Sequence, residues 1–227
     1  MALWASRLGT VGVVAFLVGP LLAHFGVVPA MVGFLVFDLG GLLGLIAVVL
    51  GIIGAVNGGG LRLGLVLGAG LTIAFVAIAM PAGTFPRIND ITTDTTNPPQ
   101  FVKAGTLPGN QGRDMSYPGP SFAAQQEAGY PALGPLKLAL PVDEAFKRVE
   151  AAARQLPRTE ITRDDPAAHA LEGVATTRLF RFHDDFVIEV RPDGAGSIVQ
   201  MRSKSRDGKG DIGANAARIK ALFAMLS

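Results

Sequence analysis

A chain of 227 residues that is 49% hydrophobic and only 17% charged is too apolar for an ordinary soluble domain. Its net charge of +2 arises from acidic and basic residues that nearly balance, which argues against the basic stripe of a nucleic-acid binder. It has no cysteine, which excludes a disulfide framework, a thiolate metal site and a cysteine nucleophile.

The charges are distributed unevenly. Before Thr84 the acidic and basic residues are Arg7, Asp38 and Arg62 alone. Three apolar runs fill this region: residues 8–28, 32–56 and 63–81. Each is roughly 19–25 residues, enough for a helix to cross a hydrocarbon core. Helices are the open-ended solution there, because lipid offers backbone groups no partner. The first run is long for a signal peptide and no small-residue cleavage pattern follows it, so it reads as an uncleaved helix. Residues 1–82 are thus expected to form an anchor of three transmembrane helices. Arg7 and Arg62 would share one side, which by the positive-inside rule is the cytoplasm. Arg87 just beyond the third run votes the other way. The expected location is the bacterial inner membrane, with the C-terminal domain on the extracytoplasmic side.

Glycines recur within these runs at Gly40, Gly44, Gly51, Gly54, Gly64 and Gly68. Four-residue spacing places small residues on one helix face and lets backbones approach. Packing among the three helices and docking onto another membrane protein both fit. Asp38 is the one ionisable residue well inside a run. A carboxylate there must face protein or water. Near the turn at Pro29 it reads as a structural hydrogen bonder more readily than as part of an ion path.

Residues 83–135 are rich in Pro, Gly, Thr and Asn, and their eight prolines interrupt any regular element. So long an irregular stretch either wraps the next domain or serves as a spacer. Asn89 to Asn97 is dense in oxygen ligands, but it lacks the spacing and glutamate of a calcium loop. Asx- and Thr-capped turns fit it better, and no metal is expected.

From Leu136 the pattern becomes regular. Val142, Ala145, Phe146, Val149, Ala152, Ala153 and Leu156 form one helical stripe ended by Pro157. Four strands are predicted at residues 159–163, 171–182, 186–191 and 197–205, with a turn over Pro192 to Gly196. Phe186, Ile188 and Val190 alternate with Val187, Glu189 and Arg191, the pattern of a half-buried strand. Asp184-Asp185 reads as a turn. A last helix is predicted over residues 212–226, with Asp211 as its N-cap and Ile212 on its apolar face. Residues 136–227 are therefore expected to be an α+β domain: helix, four-stranded antiparallel sheet, helix, with both helices on one sheet face.

Chemistry is thinly signalled. The turn from Arg202 to Asn215 combines glycines, cations and a helix start, features that can hold an anion. It is neither a Walker loop nor a dinucleotide fingerprint. Arg178, Arg206, Lys209 and Asn215 are the candidate ligand-binding residues, with Asn215 buried by its angular position. The alternation in 176–182 puts Phe180 and Phe182 on the face of Arg178. The histidines His24, His169 and His183 lack metal-ligand spacing. No catalytic constellation or cofactor is indicated.

Three stretches together resemble a known family. They are Pro86 to Asp94 with Asn97 to Phe101, then Ala175 to Asp185, then Arg202 to Arg206 with Gly210 to Ile219. They are similar to the family called domain of unknown function 1499, over about residues 85–226. The resemblance implies that the Pro-rich segment is an ordered, wrapped part of the domain, and implies no activity or site residue. The expected role is a membrane-anchored binding or accessory module at the envelope surface. The alternative is an enzyme acting on a lipid or envelope-associated anionic substrate.

Overall fold

A computed structural model describes residues 2–59, 63–79 and 83–227. Arg62, on which the orientation reading partly rests, lies outside the described residues, as do Met80 and Pro81 at the end of the third apolar run. Backbone contacts divide the chain into two units: one runs to Thr84 and also takes in Arg178–Arg181, and the other comprises Phe85–Thr177 and Phe182–Ser227.

The first unit is helical: α1 (Ala2–His24), α2 (Ala30–Gly54) and α3 (Leu63–Ala79). At 1.5 Å per residue α1 and α2 extend about 34 and 37 Å, long and apolar enough to cross a membrane, and α3 about 25 Å. Left-handed Gly58 ends the helical path after α2.

Glycine sets the packing. Gly40 is buried, and a Cβ there would lie 2.5 Å from the Phe16 backbone nitrogen of α1. One at Gly68 would lie 2.8 Å from the Gly44 carbonyl of α2. The buried glycines of α2 and α3 thus face sibling helices of the same chain, whereas Leu35, Leu42 and Val49 point outward. Phe37 centres an aromatic cluster, 4.4 Å from Phe16, 5.7 Å from Phe75 and 5.5 Å from Phe180 between ring centroids.

The second unit is a sheet with two helices on one face. Its strands are β1 (Asp90–Thr92), β2 (Leu136–Leu138), β3 (Thr159–Asp165), β4 (Ala170–Thr176), β5 (His183–Asp193) and β6 (Gly196–Ser205). The order is β1-β6-β5-β4-β3, with β2 also paired to β6 and every pairing antiparallel. The expected four-stranded sheet therefore has six strands. The two extra ones are three residues each, too short to alternate visibly, and both draw on the long edge of β6.

Helices α5 (Val142–Ala153) and α6 (Ala214–Leu226) cover the face that carries Leu171, Phe186, Ile188, Val199 and Met201. Phe146, Val149, Ile219 and Leu222 fill the layer between them. The β5–β6 hairpin closes through Gly194-Ala195, with Gly194 at φ 62°.

Three sequence expectations are corrected. The strand predicted over 171–182 stops at Thr176, and β5 starts at His183. Thr177 closes the intervening loop: its N–H donates to the Phe182 carbonyl, and its hydroxyl accepts the Phe182 N–H. Arg181 supplies the left-handed residue, so Phe180 leaves the strand path. Asp184 and Asp185 are not a turn but buried members of β5. Finally, α6 begins at Ala214, and Ile212 stands exposed at φ 51°, off the apolar face. The N-cap is Gly213 rather than Asp211, whose carboxylate, two residues earlier, accepts the amides of Gly213 and Asn215.

Candidate functional site

The second face of the sheet is polar, yet it is buried. Strand alternation points Glu172, Asp185, Arg202 and Lys204 away from the two helices, beside Asp90 of β1. The Pro-rich segment lies over them. Val102, Lys103 and Ala104 donate backbone N–H groups to the Glu172 carboxylate at 2.8–3.0 Å. Asn110 donates to Asp185 at 2.8 Å, and the Arg113 guanidinium binds the carbonyls of Ser205 and Arg206. The segment itself turns on Asp94, whose Oδ1 accepts the amides of Thr96 and Asn97. Opposite charges and backbone donors thus hold down a segment that has little apolar surface of its own.

Arg202 is the centre of this arrangement. Its guanidinium lies 4.8 Å from the Phe101 ring centre and 5.6 Å from that of Tyr117. It also donates to the carbonyls of Pro99 and Met115. Tyr117 in turn packs edge-on against Phe122.

The Pro-rich segment up to Gly119 forms a strap, and the helix α4 (Pro120–Gly129) follows it. Buried Gln126 attaches it to β1: its amide donates to the Thr92 carbonyl at 2.7 Å and accepts the Thr92 N–H at 2.9 Å. The side chain thereby takes the place of a strand neighbour. Tyr117 donates its hydroxyl to Gln126 Oε1 at 3.3 Å. Burial, reinforced by the Asp90 charge, pushes the Tyr117 phenol up to about 12.

Between the strap and α4 lies an open cleft of about 710 Å³. Thr95, Thr96, Pro98 and Gln100 form one side, and Pro120, Ala123, Ala124 and Glu127 of α4 form the other. Ser116, Tyr117 and Gly119 close the end. Thr95 donates its hydroxyl to Glu127 at 2.7 Å across the cleft. Among the described residues, no lysine, arginine or histidine lines it. Its polar character comes from hydroxyls, one amide and one carboxylate.

Of the predicted ligand residues in the second unit, Arg206 is partly buried, Lys209 is exposed and Asn215 is fully buried. Arg206 is engaged by Asp185 through two hydrogen bonds of 2.9 and 2.7 Å. Asn215 is fully buried on the opposite side of β6, bonded to Ser203, Ser205 and Arg218. Its partner network continues from Arg218 to Asp184. Every one of these contacts is internal, which is the chemistry of a satisfied core. Lys209 is exposed on the turn. Arg178 belongs to the helical unit, where its carbonyl lies 3.1 Å from His24 Nδ1. Asp38 is half-buried on α2. Among the described residues, no three His, Cys, Asp or Glu side chains gather in a way that could hold a metal ion.

The family described as protein of unknown function (DUF1499) matches residues 90–226. The chain belongs to the DUF1499 family. The match starts at the first residue of β1 and ends at the last residue of α6, so the DUF1499 region includes strap, sheet and both helices. No curated protein matches the chain.

Sequence reasoning missed the residues that build the cleft. One signal for α4 was present: Gly119-Pro120 before a run of good helix formers, with Gly129 at its end, is a proline-first, glycine-last helix. Tyr117, with Phe101 and Phe122, was visible as an aromatic able to pin the segment onto a surface, whereas the role of Gln126 had no local signal, because its partner is the distant Thr92.

Proposed function

We propose that this protein is a membrane-anchored binding module, and that its ligand seat is the cleft between the strap and α4. The anchor reading draws on α1 and α2, whose apolar windows are only 28% and 22% buried. A core helix of a water-soluble protein buries its apolar side chains; these helices turn leucine, isoleucine and valine outward. We extend the reading to α3, whose outward Leu63, Val66 and Ile73 match.

The cleft carries the binding reading. Hydroxyls, a glutamine amide, a tyrosine and small alanine surfaces, without a cation, suit an uncharged ligand rich in hydroxyl groups. An oligosaccharide segment of the envelope has that chemistry. The cleft's one carboxylate, Glu127, is occupied by the Thr95 hydroxyl, and Arg202 and Lys204 are engaged with Asp90, so binding is better supported than acid–base catalysis.

Saturation-transfer NMR on the detergent-solubilised full chain tests the assignment with three probes: chitotriose, cellotriose and maltotriose. Binding of at least one is expected, with loss on Ala124→Trp, which fills the cleft from an exposed position. No binding by any of the three, or binding unchanged in the variant, refutes it.

A further inference from the structure

We propose that the turn over residues 206–213, together with Arg87, is a contact surface for anionic lipid headgroups, with Ile212 as its apolar anchor. The proposal rests on the anchor reading above and concerns a surface separate from the cleft.

Two cations define the surface. Arg206 is neutralised by Asp185, but Lys209 and Arg87 are exposed, and among the described residues neither forms an ion pair. The fold puts them side by side. Asn89 donates its amide to the Gly208 carbonyl at 2.7 Å, and Asp211 donates its N–H to the Ile88 carbonyl at 3.2 Å. Gly210 runs so close to this stretch that a Cβ on it would lie 3.5 Å from the Arg87 Cα. Asp207 is the one exposed acid on the turn, while the Asp211 carboxylate is engaged by the amides of Gly213 and Asn215.

Ile212 is the second observation. It is 53% exposed and sits at φ 51°. A β-branched residue is a genuine outlier in the left-handed region. Strain of that kind persists where the surroundings fix it, and it gathers at functional positions. Here Asp211 fixes it, because its carboxylate holds the amides of Gly213 and Asn215 on the far side. An apolar side chain is thus held outward beside two unpaired cations. That pairing of charge with an apolar anchor fits an anionic bilayer surface. Arg87 follows the last residue of α3 by eight positions in the sequence.

The absence of cysteine permits a direct test on the full chain. Ile212→Cys carries a bimane label, and Asp143→Cys, 80% exposed on α5, is the control position. Each is placed in nanodiscs of phosphatidylcholine, with or without phosphatidylglycerol, containing lipids with a spin-labelled quencher. Quenching at position 212 that is strongest in the anionic discs supports the proposal. Lys209→Gln or Arg87→Gln should each weaken the contact about fivefold. Inserted protein without quenching at 212, equal quenching in both disc types, or equal quenching at position 143 overturns it. Failure to enter the discs at all, read by co-flotation with lipid, overturns the anchor reading and this proposal together.

Discussion

Arg202 and Asp90 meet through two hydrogen bonds, Nε to Oδ1 at 2.8 Å and Nη2 to Oδ2 at 2.7 Å, with neither side chain exposed to solvent. Asp90 also accepts from the Lys204 ammonium at 2.9 Å. The pair joins β1 to β6 beneath the strap. Removing the carboxylate alone leaves a desolvated guanidinium without its counter-charge, and breaking a buried pair in this way costs about 3–5 kcal/mol. Asp90→Ala should therefore lower the denaturant midpoint strongly and expose residues 93–117 to proteolysis. The double variant Asp90→Leu with Arg202→Met should recover part of the loss, since the guanidinium is then not stranded and only the Lys204 ammonium loses its partner. A double variant no better than Asp90→Ala would show that the pair is itself a source of stability.

Glu172 offers a more local test. Its two carboxylate oxygens accept the amides of Val102, Lys103 and Ala104 together with the Arg163 guanidinium. An amide has one oxygen where the carboxylate has two. Glu172→Gln should thus leave backbone donors unpaired, at about 1–3 kcal/mol for each. Hydrogen exchange should accelerate at residues 102–104 before it does in β5 or α6. Uniform acceleration across the domain would contradict a local role.

The chain has two tyrosines, and both are shifted the same way. Burial pushes Tyr117 up to about 12, aided by the Asp90 charge; burial does the same for Tyr130, aided by Asp211. Below pH 10 both phenols are protonated whether the chain is folded or unfolded, so they give stability no pH dependence. Between pH 10 and about 12 the unfolded chain releases protons that the native chain keeps, and stability falls as pH rises. Spectrophotometric titration of the native protein should show little tyrosinate at pH 10 and a single steep rise toward 12. Tyr117→Phe should halve the amplitude. A free tyrosine titrating near 10 would contradict the packing of its ring.

The helical unit makes a prediction about volume. A Cβ at Gly40 would lie 2.5 Å from the backbone of Phe16, whereas one at Gly70 would meet nothing within 4 Å. Gly40→Ala should separate α1 from α2 and cost about 1–3 kcal/mol by overpacking. Gly70→Ala, in the interior of α3, should be neutral or stabilising by roughly 0.5–1 kcal/mol. Thermal unfolding in mild detergent compares the two, and equal effects would argue against glycine-mediated packing.

Composition and periodicity determined the division of this protein. Apolar runs end before Thr84 because a helix facing lipid has no use for charge, and that signal is local. The stripe from Val142 to Leu156 and the alternation in Phe186 to Arg191 specified α5 and a central strand, since burial on one face imposes a period. The family resemblance was legible for the same reason: it rests on contiguous residues. What covers the other sheet face was decided by tertiary structure alone. Val187, Glu172 and Arg202 lie on the face opposite the apolar positions, yet they are buried because a proline-rich segment is bound over them. Its backbone donors and stacked rings meet residues 70 to 100 positions away, and no period in the sequence encodes such pairings. The cleft follows from that wrapping, so it too is a product of long-range contact between a polar sheet and a strap with almost no regular structure of its own.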